Sequence, residues 1–434
     1  MTQQVDIVVV GAGMVGAALA TGLGQAGFTL ALVDRDHEPE FRQNQEPDLR
    51  VSALSAGSEK YLRQLGAWDR IEQYRLTPYR RLSVWDQTRH PLCGWVPIPA
   101  RTTFDAAELG CGHLGHIVEN RVTQRALWQS AEANAAISIH GGDSVVAIEH
   151  QNTGAEVTLK SGQTLHCQLV VGADGAQSKV RELAGIGVSR DQYAQQAMVA
   201  SVRYRGPVAD ITWQAFFPTG PRAFLPLHRA NEANNESWAS LVWYDTPETL
   251  ARLKSLDDAD FLTEVQRAFP ADLPPLTGVS ARASFAIARQ HASRYVENRV
   301  VLVGDAAHTI NPLAGQGVNL GFQDAESLQT IIREAKRAGS DLANPMWLHQ
   351  YERQRRPANR RMMFTMDTFY YLFSNRIPPV HLLRNAGLAL AQHLPFARKQ
   401  VARYAMGIDS VAPTGLAGAL AKLPRPGFLK QSKG

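Results

Sequence analysis

The chain has 434 residues, 44% hydrophobic and 20% charged, an ordinary globular balance too long for one simple core. Its formal net charge of +5 is mild, and Lys and Arg are spread along it, which argues against nucleic acid as a partner. Cys93, Cys111 and Cys167 lie far apart with no CxxC, so neither a disulfide framework nor a zinc site is expected and no metal is assigned.

The first element is "VDIVVV" (5–10), a β-branched run typical of a buried parallel strand. It leads into Gly11-Ala12-Gly13-Met14-Val15-Gly16, an apolar helix through Leu23, and a second strand "TLALVD" (29–34) ending in Asp34. This is the order of a dinucleotide-binding unit. Gly11 permits the tight turn, Gly13 lets backbone approach a pyrophosphate, and Gly16 lets helix and strand pack closely. The helix N-terminus around Met14 and Val15 offers N–H groups to phosphates. Asp34 would accept bonds from ribose hydroxyls, which favours FAD or NAD over NADP. The segment is apolar, yet it lacks a basic start and Asp6 interrupts it, so it reads neither as a signal peptide nor as a membrane span. A cytoplasmic location is expected.

"VVGADGAQSKVR" (170–181) is a strand followed by a glycine-rich turn without the fingerprint spacing. With one fingerprint only, the other glycine-rich loops should serve the same cofactor. From 183 to 292 the pattern alternates with period two and carries Trp213, Phe216, Phe217, Phe224, Trp238 and Trp243, implying an antiparallel sheet. "AFLPL" (223–227) is the segment expected nearest a substrate, with Phe224 and Pro226 as its contacts; plain core packing is the alternative.

"RVVLV" (299–303) then runs into "GDAAHTINPLAGQGVNLG" (304–321), which holds more glycine than a helix-opening loop needs. Asp305 stands at a strand's carboxyl edge, suited to ribityl or ribose hydroxyls. Backbone N–H groups of Gly317, Val318 and Asn319 would face an isoalloxazine carbonyl, stabilising negative charge there. The tail reads as helices with basic, amphipathic stretches, suited either to an anionic membrane surface or to packing on the body; 411–434 reads as disordered.

Together, "GAGMVG", "GADGAQSKVR" and "GDAAHTINPLAGQGVNLG" resemble the class A flavoprotein aromatic hydroxylases of the para-hydroxybenzoate hydroxylase type, over about residues 5–407. "LRVSALSAGSEKYLRQLGAWD" (49–69), "HIVENRVTQRALW" (116–128) and "PRAFLPL" (221–227) resemble the ubiquinone-biosynthesis hydroxylases among them. "PYRRLSVWD" (78–86), "ITWQAFFPTGPRAFLPL" (211–227), "WASLVWYDTP" (238–247) and "FSNRIPPVHLLRNAGLALA" (373–391) resemble the branch that hydroxylates 2-polyprenyl-3-methyl-6-methoxy-1,4-benzoquinol.

The resemblance implies an α/β fold (α+β overall) with a Rossmann-like FAD-binding domain from 1–75, 101–182 and 293–345. An antiparallel β-sheet substrate domain would come from 76–100 and 183–292, and C-terminal helices from 346–410. Gly11, Gly13 and Gly16 would hold the FAD pyrophosphate, Asp34 the adenosine ribose, and Asp305 the ribityl chain. Arg50 would stand beside FAD, and Asp174 would serve FAD and nicotinamide binding. Pro312, Gly315, Gly317 and Asn319 would line the flavin ring. Many relatives carry Arg where this chain has Asn120; Gln124, one turn later, could serve the pyrophosphate instead.

The implied reaction is hydroxylation of a polyprenylated quinol or phenol by a flavin C4a-hydroperoxide. It would consume O2 and use NAD(P)H or another reductant. No side chain declares itself as a catalytic base, and His308 reads equally as structural. Alternatives are a sister hydroxylase acting on 2-polyprenylphenol or 2-polyprenyl-6-methoxyphenol, a flavin-dependent prenyl reductase, a flavin halogenase, and a non-catalytic flavin-binding subunit. Membership of a ubiquinone-biosynthesis complex and peripheral contact with the inner face of the membrane are the partner expectations.

Overall fold

The computed structural model describes residues 2–87, 101–151, 153–312 and 315–373. Cys93, the basic stretch after 373 and the tail expected to be disordered lie outside them.

The apolar run at 7–10 forms a strand buried on both faces at the centre of a six-stranded sheet. The order is Val296–Glu297, Val300–Leu302, Leu169–Gly172, Ile7–Val10, Leu30–Asp34, Ile137–Gly141. All neighbours are parallel except the first pair. Near-continuous Val, Ile and Leu suit such strands, because both faces are covered, one by helices and the other by a four-stranded sheet of Thr2–Gln4, Thr164–Cys167, Ala155–Leu159 and Val145–His150. Met14–Gln25 follows the first strand, and Asn120–Glu132 and Gly317–Arg337 share its apolar core. A three-stranded sheet, Val51–Ser55, Gly115–Glu119 and Thr77–Tyr79, leads toward the second half.

That half is an eight-stranded sheet built around two long strands, Val188–Arg205 and Leu276–Ala292. Glu236–Asp245, Gly220–Asn231, Ile211–Phe217, Arg81–Asp86 and Arg101–Asp105 follow on one side, and His308–Thr309 closes the other edge. The sheet thus takes in 101–105, which the sequence reading placed with the other half; Arg81–Asp86 pairs with it antiparallel, and pairing overrides chain proximity. Helices Pro247–Ser255 and Asp258–Ala268 cover one face. The other face meets Ile310, Leu320 and the long helix Pro345–Phe373 through Met362, Met363 and Met366. Among the described residues no helix is long and apolar enough to cross a membrane.

Candidate functional site

Three glycine-rich turns converge where the six-stranded sheet meets the eight-stranded one. Gly11 has φ +102, and a Cβ there would lie 2.4 Å from Ala173 O, so only glycine lets the first turn pass the second. At Gly16 a Cβ would sit 1.8 Å from Gly11 O, which is the close packing the fingerprint demands. Val15 fills the notch between the first and third turns: its methyls would lie 3.3 Å from a Cβ on Gly304 and 2.5 Å from one on Gly321.

Two helix N-termini are left bare by this packing. Met14–Gln25 and Gly317–Arg337 have no capping side chain and no acidic residue in their first turns. Space beside Gly13 and Gly317 is open to at least 4 Å. Unpaired N–H groups with room above them form an anion site in the first case and can face a carbonyl oxygen in the second.

Acidic and amide side chains brace these turns. Asp34 accepts from Ala12 N at 2.5 Å and from Asp36 N at 2.8 Å, leaving further lone pairs for a ribose. Gln124 Nε2 donates to Ala12 O at 3.1 Å, so it holds the turn from behind. Asn120 Oδ1 accepts from Ser52 Oγ at 2.6 Å and is likewise engaged. Asp174 accepts from Ser178 Oγ (2.5 Å), Lys179 N (2.7 Å) and Val180 N (3.0 Å), so its carboxylate caps the helix Lys179–Leu183.

Asp305 keeps its carboxylate open to the cleft although protein crowds its other sides. Crowding raises its pKa, with His308 and Arg50 pulling the other way. Arg50 is exposed and close enough to feel that carboxylate. Pro312 is exposed, and its carbonyl accepts from Gly315 N at 3.0 Å, which holds Gly315 at φ +61 beside Ala53. Asn319 is buried, with its side chain consumed: Oδ1 accepts from Ser55 N (3.0 Å) and Ser58 Oγ (2.7 Å), and Nδ2 donates to Ala53 O (2.9 Å). Val318 packs its side chain into the core. Asn319 and Val318 can therefore meet a ligand only through backbone.

Several braces were not foreseen. Arg181 donates to Ala306 O and Ala176 O, and Gln290 Nε2 to Ala176 O and Asp305 O, stapling the second and third turns together. Below them Asp324, itself fully buried, takes His308 Nε2 at 2.5 Å, Arg355 Nε at 2.7 Å, Asn359 Nδ2 at 2.9 Å and Gly304 N at 3.2 Å. An acid on the apolar side of "LGFQDAESLQ" was the available signal for this hub. His308 is thereby structural, facing Asp324 rather than the cleft.

Comparisons with known proteins decide the family. The family described as FAD binding domain matches residues 4–365. A 3-demethoxyubiquinol 3-hydroxylase of Escherichia coli is 42% identical over 94% of this chain and 99% of its own length. A mitochondrial ubiquinone biosynthesis monooxygenase of Xenopus tropicalis is 33% identical over 92% and 93%. The chain belongs to the FAD-dependent hydroxylases of ubiquinone biosynthesis. In fold, the p-nitrophenol 4-monooxygenase of Pseudomonas putida superposes with a TM-score of 0.74 at 18% identity, over 93% of this chain and 98% of that one. The para-hydroxybenzoate hydroxylase type of fold is thus established.

The cleft of this hydroxylase fits FAD. The bare N-terminus at Gly13 would take the diphosphate, Asp34 and Asp305 the two sugar-like chains, and the N-terminus at Gly317 the ring. The substrate expectation needs correcting. Phe224 pairs with Trp213 and Leu241, stacks on Trp213, and is buried under the outer helices; Pro226 pairs with Ala239 on that same face. Strict alternation therefore turns the neighbouring residues inward. Gln214, Ala223, Leu225, Ser240, Val242 and Val199 occupy the face toward the glycine-rich turns, where Tyr244 OH bonds Asn311 Oδ1 at 3.2 Å. Ser240 Oγ is buried there with no partner.

Proposed function

We propose that the enzyme hydroxylates the ring of 2-polyprenyl-3-methyl-6-methoxy-1,4-benzoquinol, the 3-demethoxyubiquinol step of ubiquinone biosynthesis. The observation that carries this reading is the near end-to-end match, at 42% identity, to the Escherichia coli hydroxylase named for that compound. Bound FAD, reduced by NAD(P)H or another donor, supplies the electrons and activates O2. The chain's own residues bind and orient. Uncapped helix N-termini hold the cofactor's anionic and electron-rich parts, and Arg50 and Asp305 set the local charge. The inward sheet face offers an apolar wall, with Gln214 as the polar side chain available to a quinol hydroxyl. A dry wall of this kind keeps water from the reacting centre.

A polyprenyl tail must be drawn from lipid, and Phe369 and Tyr371, two separately exposed rings near the end of Pro345–Phe373, are the side chains offered for membrane contact. Cosedimentation with anionic vesicles tests that contact and should weaken in F369S/Y371S. Substrate identity is tested with FAD-loaded enzyme, a short-prenyl benzoquinol and isotopically labelled O2. One labelled ring oxygen in the product is expected. Faster turnover of 2-polyprenylphenol would move the enzyme to a sister step. Turnover without O2 would make it a prenyl reductase.

A further inference from the structure

Outside the glycine-rich turns, metal-ligating side chains from two separate chain segments meet. Glu59 stands on helix Ala56–Gln64, His113 in the loop after residue 110, and His116 on strand Gly115–Glu119. His113 Nε2 is 2.7 Å from Glu59 Oε2, and His116 Nδ1 is 3.4 Å from the same oxygen. Among the described residues this is the group whose ligand atoms all lie within 4.8 Å of one another.

Two features separate it from a casual surface cluster. His116 has a side chain only 8% exposed, and its Nδ1 has no hydrogen-bond partner although it points at a carboxylate. A buried polar atom left unpaired is costly and asks for an explanation. The other oxygen of Glu59 is already oriented: Arg63 Nε donates to Oε1 at 3.1 Å, and Arg63 is shared with Glu72, which Trp68 Nε1 also bonds at 2.6 Å. Outer partners of this kind fix a ligating carboxylate and leave its second oxygen facing the two imidazoles. Two carboxylates against one guanidinium also leave the locality net negative, ready for a cation.

We propose that Glu59, His113 and His116 bind a zinc-class divalent cation, with water in the fourth position. Two imidazoles and one carboxylate are a ligand set that zinc takes. His113, partly open to solvent, gives the ion its way in. The ion takes no part in the ring chemistry. It would tie the helix that carries Ser58, a partner of Asn319, to the strand Gly115–Glu119, across 54 residues of chain.

The test uses full-length, FAD-loaded enzyme stripped with a chelator and titrated with Zn2+ alone by calorimetry, with Co2+ as a spectroscopic probe. One saturable ion per chain is expected, together with the visible absorption of four-coordinate Co2+ and a melting temperature that rises with Zn2+. His113→Ala should weaken binding at least about tenfold, the loss that even an outer partner of a metal ligand produces, with flavin content unchanged. If His113→Ala fails to load FAD, His113→Gln serves in its place. Absence of saturable binding, or equal binding by the wild type and the His113 variant, overturns the proposal.

Discussion

Asp324 concentrates more charge-assisted bonding than any cleft residue described above. It is fully buried, and its carboxyl lies well below the usual range. Burial alone would raise it; the His308 and Arg355 charges and the His308 and Asn359 bonds outweigh that. In Asp324→Asn, Arg355 and His308 lose their counter-charge, and a loss of about 3–5 kcal/mol of stability is expected in urea unfolding. The sign of the pH effect follows. A depressed carboxyl contributes stability above its unfolded value of 3.8, and loses it as pH falls through the folded value. The variant should therefore show a flatter acid limb than the wild type, whatever its absolute stability. Gly16→Ala is a second residue-scale test. Its methyl would meet Gly11 O at 1.8 Å, so the turn must open, and flavin retained on gel filtration should fall sharply.

At the scale of elements, Gly317–Arg337 matters most, because one end faces the cleft and its buried side carries the hub. Asn319→Ala would leave Ser55 N without its acceptor and take one hydrogen-bond partner each from Ser58 Oγ and Ala53 O. A cost of about 2–4 kcal/mol is expected from such losses. Loss of FAD affinity, read by flavin fluorescence during melting, should accompany it. Gly317→Trp would fill the open space above the same helix start and should abolish FAD binding with the apoprotein still folded. Much of this element was legible in advance: glycine spacing, strand before and helix after are local signals, and so are the first turn and Asp34. Phe224 and Pro226 were misplaced for a physical reason. Period-two alternation says that neighbours face opposite ways, but only the packing of Asp258–Ala268 and Pro345–Phe373 decides which side is inward. Arg181, Gln290 and Arg355 were missed because their partners are backbone carbonyls or acids far along the chain, which spacing does not encode.

For the molecule as a whole, buried histidines govern behaviour in mild acid. His116, His228 and His291 are each lowered to about 4, first by burial and then by His113, Arg75 and His308 respectively. A lowered histidine is neutral when folded and takes up its proton on unfolding. Stability is therefore full above the unfolded value of 6.5 and falls as pH drops toward 4. In metal-free protein the melting temperature should decline steadily through that window. His291→Gln should make the decline shallower; an unchanged slope would remove His291 from the account.

The strand order of the six-stranded sheet has a consequence for the making of the protein. Leu169–Gly172 lies between Ile7–Val10, translated well before it, and Val300–Leu302, translated long after. The third glycine-rich turn and the helix that faces the ring come later still. On the ribosome, then, the dinucleotide fingerprint waits for nearly three hundred further residues before the partners that complete its cleft are made. Cofactor capture is a late event in the life of the nascent chain, and a ribosome stalled before residue 300 should hold a chain that fails to retain flavin.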